Sequence, residues 1–159
     1  MTNGSQENAF RHTYGQAMIA SRWGRTAAEE IGWAHEDRPD IDTTRRVFRD
    51  ENPAEALFQA DTVADQLNNE IGRRLADANP HASFREMALI VLEAYHRDGL
   101  YTATTHEDGS VTIARERLTD EQYESARDQV VQMNERAEAA DAAEAERAQG
   151  RSENPANGR

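Results

Sequence analysis

A mainly α fold, a small helical bundle of about four helices with a short β-hairpin and a long acidic C-terminal helix, is predicted by three features of the sequence. Apolar residues recur at spacings of three and four along most of the chain, the period of a helix that buries one face. Start and stop signals such as Asn52-Pro53 and Asp98-Gly99 cut those stretches into units of helical length. Only LYTATTHEDGSVTIAR reads as strands, two short ones around an Asp108-Gly109 turn.

Taken in order, residues 1–8 read as a flexible lead that ends in a cap at Asn8. The first helix then runs from about Ala9 to Trp23, with Phe10, Tyr14, Ala17, Met18 and Ser21 on its apolar face, and Gly24 stops it. Thr26 caps a second helix, AAEEIGWAHE, with Glu29 placed as in a capping box, and Arg38-Pro39-Asp40 closes it. Residues 37–52 are polar and read as loop, with room for one helical turn near Arg45 to Phe48. The third helix is expected over Pro53 to about Ala78, with a core stripe of Leu57, Ala60, Val63, Ala64, Leu67, Ile71 and Leu75. The fourth, from Ser83 to about Arg97, is the most apolar and is expected at the centre of the bundle. These elements form a helical domain with its hairpin over 9–118. An acidic helix follows over 119–149, poorly amphipathic after Met133, and 150–159 reads as a disordered tail. Trp23 and Trp33 are expected as core anchors, and His81, His96 and His106 at the surface or in turns.

Composition narrows the chemistry. The 159 residues carry a net charge of −12 and a mean hydropathy of −0.92, so one modest core is expected. An acidic surface repels phosphate backbones and anionic lipid, which makes nucleic acid an unlikely partner and disfavours a membrane surface. All 18 basic residues are Arg, so Lys-based Schiff-base chemistry has no donor. With no Cys there is no thiolate nucleophile or thiolate metal site. No stretch reads as a signal peptide or a membrane span, so a cytoplasmic site of synthesis is expected, with export or virion association left open.

The informative stretch is DQLNNEIGRR, residues 65–74. At 100° per residue Asp65, Asn68, Asn69 and Gly72 fall within an arc of about 100°, and Asp61 joins it one turn earlier. None is a strong helix former, and Gly costs about 1 kcal/mol against Ala inside a helix. A polar stripe of this kind calls for a buried polar site. Two other groups supply partners: Arg11-His12 in the first helix, with Gly15 and Gln16 around the imidazole, and His35-Glu36 at the end of the second. His12, His35, Glu36, Asp65 and Asn69 are the candidate catalytic set; Arg11, Asn68 and Arg73 are candidate substrate contacts. A His beside a carboxylate can shuttle protons near neutral pH, and an Asn amide can donate to a developing oxyanion. A divalent metal on His12, His35 and Asp65 is the other use of the same kit, although no known metal signature is present.

Each feature also has a plainer reading. The stripe can be a packing network that fixes helix register, His12 a satisfied core histidine, His35 a helix-end cap. Arg45, Arg46 and Arg49 can hold phosphate or the acidic tail, or stand as solvated loop charge.

The run NAFRHTYGQAM, then WAHE, then DQLNNEIGRRLA resembles an uncharacterised bacterial domain family. Its pattern is Arg-His-aromatic, Ala-His-Glu, then Asp-x-x-Asn-Asn-x-x-Gly-Arg, covering residues 8 to about 104. Such domains occur alone in bacteria and phages, and at the C-termini of polymorphic-toxin-like proteins. The resemblance implies a site at Arg11, His12, His35, Glu36, Asp65, Asn68, Asn69, Gly72 and Arg73. Where the family usually has Trp-Asn this chain has Gly15-Gln16, which implies a wider or a weakened site. Two functions follow as expectations. One is a toxin-like or phage-associated domain with a hydrolase-type site. The other is a non-enzymatic module whose stripe is structural and whose acidic helix binds a protein partner.

Overall fold

The structure, a computed structural model, describes residues 3–34 and 41–152. It is mainly helical, at 71% helix. Its elements are α1 (Asn3–Trp23), α2 (Arg25–Ala34), β1 (Val47–Phe48), α3 (Pro53–Ala78), α4 (Phe84–Asp98), β2 (Leu100–Thr105), β3 (Val111–Glu116) and α5 (Asp120–Ser152). The three strands form one antiparallel sheet in the order β1-β3-β2.

Local chemistry explains most of the boundaries. Asn52 caps α3 by accepting the Ala54 N–H, and Pro53 follows in the first turn. Ser83 and Glu86 close a capping box on α4. Thr119 and Gln122 do the same for α5: each side chain accepts the other's backbone N–H, at 3.2 and 3.0 Å. Gly24 and Gly99, at φ +88° and +81°, end α1 and α4 in a backbone region that other residues rarely adopt.

Several expectations are corrected. Helix α1 begins at Asn3, so Asn8 lies inside it and caps nothing. Helix α2 begins at Arg25 directly after the Gly24 turn, which puts Thr26 within its first turn and leaves the capping box with Glu29 unformed. Residues 47–48 form a strand instead of a helical turn. Val47 pairs with Thr112 and Phe48 with Val111, a long-range match that the polar loop sequence does not advertise. Trp23 is 66% exposed and anchors no core, while Trp33 is half-buried. Helix α5 runs through Ser152, and the rest of the expected tail lies outside the described residues.

The centre is α3, not the more apolar α4. It packs on α1, α2, α4 and all three strands. Three apolar clusters surround it. Phe48, Ala56, Ala60, Val63, Val111 and Ile113 join its first half to the sheet. Ala17, Ala20, Ala28, Ala76 and Met87 join its far end to α1, α2 and α4. Ala9, Tyr95 and Leu100 tie α1, α4 and β2 together. A band of buried polar residues separates them: Thr13, Gln16, Gln66, Asn68, Asn69 and Arg73. Helix α5 starts against α4. His96 stacks on Tyr123 with ring centroids 4.4 Å apart and bonds Asp120, while the Tyr123 hydroxyl donates to Glu93 at 2.8 Å. Beyond Met133 every described residue of α5 is exposed.

Candidate functional site

The polar stripe of α3 faces α1, and that is why Gly72 is a glycine. A Cβ at Gly72 would lie 2.1 Å from the Thr13 carbonyl oxygen and 3.0 Å from the Ala17 nitrogen, both backbone atoms. Ala9, Thr13, Ala17 and Ala20 supply the matching small surface on α1. The two backbones therefore approach closely, and side chains to either side of the contact are forced together.

His12 comes from α1 and Asp65 and Asn69 from α3. His12 Nε2 lies 3.4 Å from Asp65 Oδ2, with side-chain exposures of 19% and 16%. Its Nδ1 faces Asn69 Oδ1 at 3.3 Å. A neutral ring that gives its Nε2 proton to Asp65 keeps Nδ1 as an acceptor, which Asn69 serves once its amide nitrogen turns inward. An imidazolium donates to both oxygens. Asn8 Nδ2 donates to Asp65 Oδ1 at 2.9 Å, and Arg11 donates to Asn8 Oδ1 at 2.6 Å. Arg11 is thus linked to Asp65 through an amide. Asn8 is a site residue that its reading as a cap concealed; the signal was its place at i−3 and i−4 from Arg11 and His12, on the same helix face.

Two clefts meet at this pair. One, about 710 Å³, lies between the start of α1, α3 and β2; Asn8, Arg11, Asp61, Asp65 and Thr102 are in its wall. The other, about 530 Å³, lies between α1 and α2 and holds His12, Gly15, Gln16, Gly32 and Asn69. Asp61 reaches solvent through the first cleft, yet its neighbours displace enough water to raise its carboxyl pKa above the ordinary value.

The rest of the stripe is committed to holding the fold. Asn68 is fully buried, and its amide makes two 2.9 Å bonds with Tyr101, donating to the carbonyl and accepting from the N–H. Arg73, 4% exposed, donates to Gln16 at 3.1 Å and to Glu70 at 3.1 and 3.2 Å. Glu70 also takes Arg25 through both oxygens at 2.8 Å and Arg74 at 2.8 Å, and Arg25 reaches Asp77. Desolvation works to raise the Glu70 pKa, but the bonds from Arg25, Arg74 and Arg73 outweigh it and hold the carboxyl below its ordinary 4.5. Glu70 went unread in the sequence because it lies outside the arc, about 100° beyond Asn69 at 100° per residue. Arg45 stacks over Phe48 and Arg46 over Tyr101, and Arg49 pairs with Asp108 at 3.4 Å, so that group is tied into the sheet.

His35 and Glu36 lie outside the described residues. Among the described residues no three His, Cys, Asp or Glu side chains gather as a metal site would need. No helix among them is long and apolar enough to cross a membrane.

Fold and site together define a mainly helical domain with a small antiparallel sheet and a His–Asp pair between two clefts. The chain belongs to the family described as Domain of unknown function (DUF6973), whose model matches residues 1–98. That span holds α1 to α4 and every candidate site residue. No curated protein and no solved structure matches the chain.

Proposed function

We propose that this is a toxin-like or phage-associated domain with a hydrolase-type acid–base site on His12 and Asp65. The observation that carries it is the His12–Asp65 pair itself: two titratable side chains from different helices, partly shielded from water, at the junction of two clefts. Asp65, held by Asn8, orients the ring through Nε2. Nδ1, on the side of the second cleft, takes the proton of an attacking water that displaces the Asn69 N–H from it. Asn69 stands beside it as the amide for a developing oxyanion. Arg11, exposed at the rim, offers a charge to an anionic group. The bacterial and toxin context comes from the sequence resemblance alone.

A second reading draws on a different observation. The amide of Asn68 and the guanidinium of Arg73 are spent inside the fold. The stripe then holds helices together and the acidic face of α5 takes a protein partner.

One experiment separates them. The chain is produced in bacteria, directed to the cytoplasm or to the periplasm, and growth is followed. Wild type should slow growth in one compartment. His12→Ala should relieve it, with turnover down about a hundredfold or more and the melting temperature within a few degrees. A wild type harmless in both compartments, with His12→Ala chiefly unfolding the protein, removes the catalytic reading and leaves the packing one.

A further inference from the structure

The two edges of the sheet are unlike. Strand β1 is two residues long and flanked by Arg45, Arg46 and Arg49, so that edge is short and charged, as guarded edges are. Strand β2 is six residues long, and its outer half, Ala103-Thr104-Thr105, carries no charge, proline or bulge. Its register with β3 fixes which backbone groups point outward. His106 donates to Ser110, so the pairs 104–112 and 102–114 exchange the ladder bonds. Tyr101, Ala103 and Thr105 therefore turn their N–H and C=O away from β3. At Tyr101 those groups are met by Asn68, whose side-chain amide pairs with them as a neighbouring strand would. At Ala103 and Thr105 neither group is bonded among the described residues.

The open rungs face the 710 Å³ cleft, which Ala103, Thr104 and Thr105 line. Thr102 lines it too; it is 3% exposed, and its hydroxyl has no partner among the described residues. Across the cleft stand Glu7, Asp61 and Asp65, against Arg11 alone. Asp61 forms no ion pair or hydrogen bond among the described residues.

We infer that this cleft binds an extended, basic polypeptide segment, which adds as a strand to the outer edge of β2 with its Arg or Lys side chains toward Asp61 and Glu7. The Asn68 amide marks the end of the added strand: it occupies the Tyr101 rung, so the guest begins at Ala103. Backbone pairing supplies the hold and the carboxylates choose the sign of the side chains. A second copy of this chain is the poorer occupant. Pairing β2 with β2 would bring each Asp61 and Glu7 toward its counterpart in a protein of charge −12. The inference goes beyond the proposed chemistry and does not depend on it, because binding is read without turnover.

The full chain, wild type and His12→Ala, is titrated with the capped pentapeptide acetyl-Val-Arg-Val-Arg-Val-amide and followed by backbone amide NMR. At millimolar peptide the Ala103 and Thr105 amides should shift, and their hydrogen exchange should slow. Replacing both Arg by Glu, or methylating alternate peptide nitrogens, should weaken binding about tenfold or more. Asp61→Asn should weaken the Arg peptide and strengthen the Glu peptide. No response at Ala103 and Thr105, equal binding of the methylated peptide, or a dimer already protecting Ala103 without peptide each overturns the inference. Binding by a protein that shows no growth effect keeps it and removes only the hydrolase.

Discussion

Gly72→Ala should destabilise the domain by about 3 kcal/mol, the upper end for overpacking, because the new methyl meets backbone that cannot rotate away. Helix propensity alone predicts the opposite sign, a gain of about 1 kcal/mol for replacing Gly by Ala within a helix. The two effects are thus cleanly opposed. In a domain of this size the loss lowers the melting temperature by about 10 °C. Thermal melting decides between them: an unchanged or raised midpoint would mean that α1 and α3 do not approach as closely as the 2.1 Å contact requires. The variant should also disturb the His12–Asp65 pair, since the same approach sets its spacing.

Glu70→Gln should be comparably severe, about 3 kcal/mol. Removing one partner leaves the Arg73 guanidinium buried without its counter-charge, and Arg25 and Arg74 crowd the same point. The figure sits at the low end for broken buried pairs because the Glu70 side chain keeps 28% of its surface. The pH dependence has a definite sign. The folded-state pKa of Glu70 lies below 4.5, so its contribution is whole above the unfolded value and lost as pH falls through the folded one. Wild type and variant should therefore converge in stability below about pH 4.5 and stay apart at neutral pH. Urea midpoints across that range provide the measurement; a constant gap would mean that Glu70 carries no special ion pairing.

The sequence was most legible where the chemistry is local. Asn52-Pro53 and Asn79-Pro80 bound α3 correctly, because a cap and a proline act within one turn. The arc of Asp65, Asn69 and Gly72 marked the inner face of that helix, because helical geometry follows from spacing alone. Long-range matches were not legible. Nothing near Val47 announces pairing with Thr112, and nothing in Asn68 names Tyr101 as its partner. Helix α4 reads as the centre by its apolarity, yet α3, half polar, takes that place by touching every strand. Trp23 shows the same limit: size and apolarity favour burial, but its position beside the Gly24 turn leaves it in solvent. Of the candidate site residues, His12, Asp65 and Asn69 are in contact and Arg11 joins them through Asn8, while Asn68 and Arg73 turn to the framework.

Because apolar contact is divided among three clusters strung along α3, loosening one end need not loosen the other. The sheet cluster and the Met87 cluster share only that helix, and between them along it lie the buried polar band and the small cluster that Ile71 touches. Such a molecule has a spine and two separately hinged halves, so its amides should fall into two exchange classes. Those of β3 and the first turns of α3 would open together, and those near Ala76 and Met87 on their own schedule.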